Sequence, residues 1–263
     1  MSSVYDAEIS LLKERNFALA NAFYFAFGFV LFGSTVLIPQ MLQSLYGYSA
    51  QDAGLVLGPG AMVIVVLAPV VVRVFPKLGA PVMIGAGYLV IGLAMWSFGS
   101  FSLQADYRHE ALARALQGLG IAPLIVPITG LAYSYLPRNK NNKASSLTNL
   151  ARNLGGSFGI AFVTTMLERR SQFHQAVLVS HATPYDIGFR DLLARLTATF
   201  TAGGYSAADA AVRAQAQAYH LIQQQAAMLS FLDCFYILGW VAILTAPLAL
   251  LIKPFRPGGG PAH

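Results

Sequence analysis

"LTNLARNLGGSFGIAF", residues 147–162, sets two asparagines, an arginine and a pair of glycines inside an otherwise apolar run. At 100° per residue, Ser145, Asn149, Arg152, Asn153 and Gly156 fall within about a third of a helix circumference. Thr148, Gly155 and Gly159 adjoin them, while Leu147, Leu150, Leu154, Phe158 and Ala161 take the opposite side. Such a helix has one face for lipid and one face that avoids it. Arg152 lies about 12 Å in from a start near Ala144, close to the midplane of a bilayer. A charge there is costly against lipid, so it faces a partner, faces water, or snorkels to the interface.

The surrounding composition agrees with a bilayer environment. Hydrophobic residues make up 56% of the chain and charged residues 11%, with a mean hydropathy of +0.57. Soluble domains carry about 25% charged residues. Six apolar segments are long enough to cross: 17–42, 53–72, 80–101, 112–136, 144–167 and 226–252, called A to F. They are continuously apolar, whereas barrel strands alternate, so the expected fold class is an all-α membrane protein with six transmembrane helices. Segment A is too long, and too aromatic at Tyr24, Phe25 and Phe27, to read as a cleaved signal peptide.

Basic residues give the orientation. Lys13 and Arg15 precede A, Arg73 and Lys77 lie between B and C, Arg138, Lys140 and Lys143 between D and E, and Lys253 and Arg256 after F. The A–B loop has none, and the C–D loop only Arg108, beside Asp106 and Glu110. Short cytoplasmic loops are enriched in Lys and Arg, so both termini are expected in the cytoplasm, with 1–16 and 253–263 as cytoplasmic segments around the 17–252 membrane domain. The formal net charge of +6 thereby reflects topology, and its scatter without interleaved aromatics argues against nucleic acid.

The connection 168–225 then lies outside the membrane. "RDLLARLTATF" (190–200) spaces its apolar residues for a short amphipathic helix, a packed lid or a surface helix. "SAADAAVRAQAQAYHLIQQQ" reads as a helix capped by Ser206 and running into F.

Within the spans, Arg114, Gln117, Gly118 and Ile121 share a face of D, with Pro123 and Pro127 behind them as sites of bending beside a cavity. Gly155 and Gly159, and Gly54 and Gly58, form small-xxx-small pairs that let helices approach closely. Asp233 in F is either a protonatable transport residue or a structural acid, and pairing with Arg114 is open to it. No HExxH, Walker loop or GxSxG occurs, His174, His181 and His220 lack ligand spacing, and the lone Cys234 has no internal partner. An enzyme, a metal site and a cofactor are therefore not expected.

Four stretches together resemble the C-terminal six helices of a fourteen-helix major facilitator drug:proton antiporter of the EmrB/QacA type. They are "FGSTVLIPQMLQSLYGYSAQDAGLVLGPGAM", "ARALQGLGIAPLIVPIT", "LTNLARNLGGSFGIAFVTTMLERRSQFHQ" and "QQQAAMLSFLDCFYILG". The resemblance covers nearly the whole chain and implies an inner-membrane efflux transporter for amphipathic small molecules, driven by a proton gradient. It implies that D, with A, lines a central cavity and that B and E pack between the halves. Arg114, Gln117 and Gly118 match an R-x-x-Q-G pattern tied to cavity and coupling; Arg152, Gly155, Gly156 and Gly159 match R-x-x-G-G-x-x-G.

The B–C turn keeps Arg73, Lys77 and Gly79 of a cytoplasmic gate but has Val72 and Pro76 where Gly and Asp are expected. No N-terminal half corresponds to anything here, so the resemblance implies a missing half or partner subunit, with a parallel homodimer geometrically permitted. A membrane scaffold that has lost transport is the alternative reading.

Overall fold

The computed structural model describes residues 13–101, 103, 107–134 and 141–253. Asp106, Arg138, Lys140, Arg256, the end of segment D and all but the first residue of the expected tail lie outside the described residues. The chain divides into two compact units, 1–163 with 235–263 and 164–234.

Six α-helices make up the described chain: α1 Arg15–Leu45, α2 Ala50–Gly99, α3 Tyr107–Tyr133, α4 Asn141–His181, α5 Ile187–Ala202 and α6 Ala207–Thr245. A 3-10 segment, Ala246–Leu251, follows. Segments B and C are thus joined in α2 rather than separated by a loop. Gly79, at φ 75 and ψ 166, is the break between them, a conformation that a side chain would strain. Gly60 and Gly87 both lie against α3 between Arg114 and Leu124. An unbroken helix would hold them about 40 Å apart, so α2 doubles back at Gly79.

Four helices are long and apolar enough to cross a membrane: Arg15–Leu45, Ala50–Gly99, Arg108–Tyr133 and Ala207–Leu251. The helix holding segment E, α4, is not among them, because Asn149, Arg152, Asn153 and its hydroxyls dilute its apolar run. Since α2 carries two of the expected segments, the four helices hold five of the six.

In the larger unit, Phe17, Phe23, Leu37, Ile84, Tyr88, Met95, Phe98, Leu124 and Phe235 form the fully buried interior. The Tyr88 hydroxyl donates to the Phe23 carbonyl at 2.5 Å, which gives the buried phenol its polar partner and ties α2 to α1. Helices elsewhere meet backbone to backbone. A Cβ on Gly120 would come within 2.8 Å of the Gly87 carbonyl, and one on Gly92 within 3.1 Å of the Gly239 carbonyl. In lipid, where no hydrophobic drive separates helix from solvent, such small-residue crossings maximise dispersion contact.

The helix ends fix the directions. Asn16 donates to the Lys253 carbonyl at 3.1 Å and accepts from the Lys253 amide at 3.0 Å, with Ser134 at 3.5 Å. The start of α1, the end of α3 and the end of the described chain therefore share one end of the unit. At the other end, burial pushes the Tyr46 phenol up to about 12, and the Glu110 carboxylate at the start of α3 acts in the same direction.

The smaller unit contains the second half of α4, all of α5 and the first part of α6. Asp186 caps α5 by accepting from the Phe189 amide at 2.8 Å, and Gly204 turns the chain at φ 90. Ser206 accepts from the Asp209 amide at 3.2 Å and caps α6 at the expected position. Helix α5 spans the expected 190–200 stretch, with no fully buried residue.

Candidate functional site

The side chains singled out in the sequence fall into three groups. The first is on α3. Arg114 is buried and donates to the Gln117 side-chain oxygen one turn on; Gln117 in turn donates to Ser34 of α1 at 2.9 Å, and Ser34 to the Leu31 carbonyl at 3.0 Å. The chain of donors exists because α2 crosses here without a side chain. A Cβ on Gly60 would meet the Arg114 backbone oxygen at 2.8 Å, and one on Gly118 would strike the Gly60 carbonyl. Ser34 and Gly60 carry no charge or motif and were not legible as members of this group.

The second group surrounds the stretch 147–162. The face of α4 made of Ala144, Thr148, Gly155, Gly156, Gly159 and Val163 is buried. A Cβ on Gly155 or Gly159 would run into the Phe25 or Phe29 carbonyl of α1, and one on Gly28 into the Arg152 carbonyl. The guanidinium of Arg152 donates to Asn149 Oδ1 at 2.9 Å, while its Nε is buried with no hydrogen-bond partner among the described residues. Tyr24, one turn from Gly28, has its hydroxyl 2.7 Å from Thr129 Oγ1 of α3, and Thr129 donates on to the Ile125 carbonyl at 2.7 Å. Asn153 is exposed, as is Asn149. On the other flank, Phe25 pairs with Phe158 at 6.0 Å and Phe29 with Phe162 at 5.5 Å.

The third group lies in the smaller unit. Asp233 Oδ2 receives Arg170 Nε at 2.6 Å and faces His174 Nε2 at 2.6 Å. The partners of Asp233 are thus Arg170 and His174, one turn apart on α4, and the pairing with Arg114 that the sequence left open is not the one formed. Further along the same two helices, Gln175 donates to the Tyr219 hydroxyl at 2.9 Å.

The remaining residues are not brought to these groups. A Cβ on Gly54 or Gly58 meets nothing within 4 Å, so the tight contact expected at that pair is absent and Gly60 makes the α2 crossing instead. Arg73 and Lys77 are exposed on the turn before Gly79.

Residues 6–160 match the family model described as Major Facilitator Superfamily. The chain belongs to that superfamily. This major facilitator chain is 29% identical to the multidrug export protein EmrB of Escherichia coli (strain K12) over 96% of its own length and 48% of that protein. It is 28% identical to the fatty acid resistance protein FarB of Neisseria gonorrhoeae, with the same coverage of 96% and 48%. It is 26% identical to the colistin resistance protein EmrB of Acinetobacter baumannii, over 93% of the chain and 47% of that protein. The chain spans about half the length of the curated relatives it matches.

Proposed function

We propose that this chain is the C-terminal six-helix half of a proton-coupled exporter of amphipathic small molecules in the inner membrane, with both termini in the cytoplasm. The observation that carries the reading is coverage: nearly the whole chain matches about half of relatives named for multidrug export and for resistance. Six crossings are supported by the doubling back at Gly79 and by Asn16, which meets both the end of α3 and Lys253. An even number of crossings lies between those points. Segment E is read as a span because its small-residue face, Gly155, Gly156 and Gly159, is packed against α1 and its exposed surface includes Leu150, Leu154 and Phe158.

In this reading the Arg114–Gln117–Ser34 chain joins the cavity helices D and A and carries the coupling between them. Arg152, Asn149 and Asn153 form a second polar station, and Asp233 a third, at the outer end. Arg73, Lys77 and Gly79 belong to the cytoplasmic turn, with Gly79 as its hinge. The face of α2 bearing Gly54, Gly58, Leu55, Met62 and Val65 is left open for the other half or a second copy, with lipid around the remainder.

The test is flux. In an efflux-deficient host, a fluorescent lipophilic cation is followed with the chain alone and with the chain co-expressed with the N-terminal half of the Escherichia coli relative. The expected result is no extrusion by the chain alone, gradient-dependent extrusion by the pair, and loss of it in Arg114→Ala. Silence in both arms, with both polypeptides in the membrane, would favour a non-transporting scaffold. A reporter fused to each terminus reads the orientation independently.

A further inference from the structure

Arg152 is a cation for which the described residues of the larger unit supply no nearby counter-charge. Helix α1 holds no acid between Arg15 and Leu45, and α4 none before Glu168. The only acid of α3 is Glu110, about 28 Å along the helix from Thr129. Glu14, ahead of α1, is about 21 Å along the helix from Gly28, where Arg152 crosses. Helix α2 contributes only Asp52, in its first turn.

The guanidinium is nevertheless held in place. Asn149 takes one arm, the backbone is locked at Gly28, and the buried Nε is left over as an unused donor. One turn before Gly28, the Tyr24 hydroxyl donates to Thr129, whose own proton goes to the Ile125 carbonyl, and Tyr24 can turn its proton toward an acceptor instead. Next to them, one turn along α3, Ile125 presents an exposed apolar side chain. A fixed, half-exposed guanidinium with no acid close to it among the described residues, flanked by a hydroxyl and an apolar wall, matches an oxyanion carried on a hydrocarbon body.

We propose that Arg152, with Asn149 and Tyr24, binds the carboxylate headgroup of an amphipathic anion. Calling that ligand a substrate rests on the transporter reading above; the binding site itself does not.

The experiment uses the purified chain in nanodiscs of zwitterionic lipid at pH 8, titrated with three ligands of one chain length: decanoate, decanol and decyltrimethylammonium. Decanoate is expected to bind at least about tenfold tighter than decanol, as one well-made charged contact provides. Arg152→Gln brings decanoate to the level of decanol. Arg152→Lys keeps most of the preference, and Tyr24→Phe weakens it about threefold while circular dichroism stays unchanged. Equal binding of the three ligands, tighter binding of the cation, or an unchanged preference in Arg152→Gln would overturn the proposal. Any of these would point instead to an acid of another polypeptide as the partner of Arg152. Because no flux is measured, extrusion without carboxylate preference would sink this site and leave the transporter reading standing. Carboxylate preference without extrusion would do the reverse.

Discussion

Helix α4 carries two arginines in opposite situations. Arg170, in the smaller unit, has a carboxylate at 2.6 Å that it shares with His174. Arg152, in the larger unit, has an asparagine and a buried Nε without a hydrogen-bond partner among the described residues. The surroundings differ in the same sense. Around Arg170 the helices are stitched by side chains: the ion pairs on Asp233 and the Gln175–Tyr219 bond. Around Arg152 they are joined by the absence of side chains, with Gly28, Gly155 and Gly159 letting backbones touch. A charge that serves structure is neutralised within the chain. One that is left open, at a place built so rigidly, is available for something the chain does not contain.

The sharpest way to break this contrast is to fill the α1–α4 crossing. Gly155→Val puts a branched side chain where the Phe25 carbonyl already sits, and no flexible neighbour can give way. The expected loss is more than about 3 kcal/mol, read as collapse of monodisperse yield and of the unfolding midpoint in mild detergent. A near-normal midpoint would mean that the helices do not approach as described.

Second in size is Asp233→Asn, which leaves Arg170 and His174 facing each other over a neutral amide. The three groups are partly exposed, so the cost is about 1–2 kcal/mol rather than the larger penalty of a fully buried pair. Limited proteolysis within 182–206 is the readout, since only the smaller unit is loosened. Arg152→Gln, by contrast, is expected to change stability by less than about 0.5 kcal/mol, because no ion pair is lost. If Arg152→Gln proved the more damaging of the two, the assignment of structural and open cations would be inverted.

Ser206→Ala comes next, at about 1 kcal/mol, through the lost cap of α6. Amide exchange over the first turn from Ala207 is the measurement. Protection lost there alone is expected.

Helix content and the run of apolar segments were readable because periodicity and hydropathy are local. Ser206 was readable for the same reason: a hydroxyl ahead of an alanine-rich helix meets its own helix amides. The B–C turn was readable from the basic residues between two apolar segments, but its narrowing to one residue was not, since Gly79 looks like any glycine near a proline until its φ is known. Asp233 failed differently. Its partners are set by the register of two helices joined through a long connection, and register leaves no mark in sequence. Arg170 and His174, one turn apart at the end of E, were the available signal, and taken alone His174 only lacked ligand spacing.

The two glycine pairs put that limit most plainly, and they give the smallest prediction. Gly54 and Gly58 have the same spacing as Gly155 and Gly159, yet one pair meets open space and the other the backbone of α1. Spacing records that a helix can be approached, and only the fold decides whether anything approaches. Gly58→Ala in the chain alone is therefore expected to raise stability slightly, by about 0.5 kcal/mol, as a helical alanine replaces glycine without a clash. The informative comparison is the same substitution with the N-terminal half of the Escherichia coli relative co-expressed. A gain that persists leaves that face of α2 to lipid. A gain that turns into a loss of assembly, measured by co-purification of the two polypeptides, would put a second helix against Gly58 as close as α1 lies to Gly155.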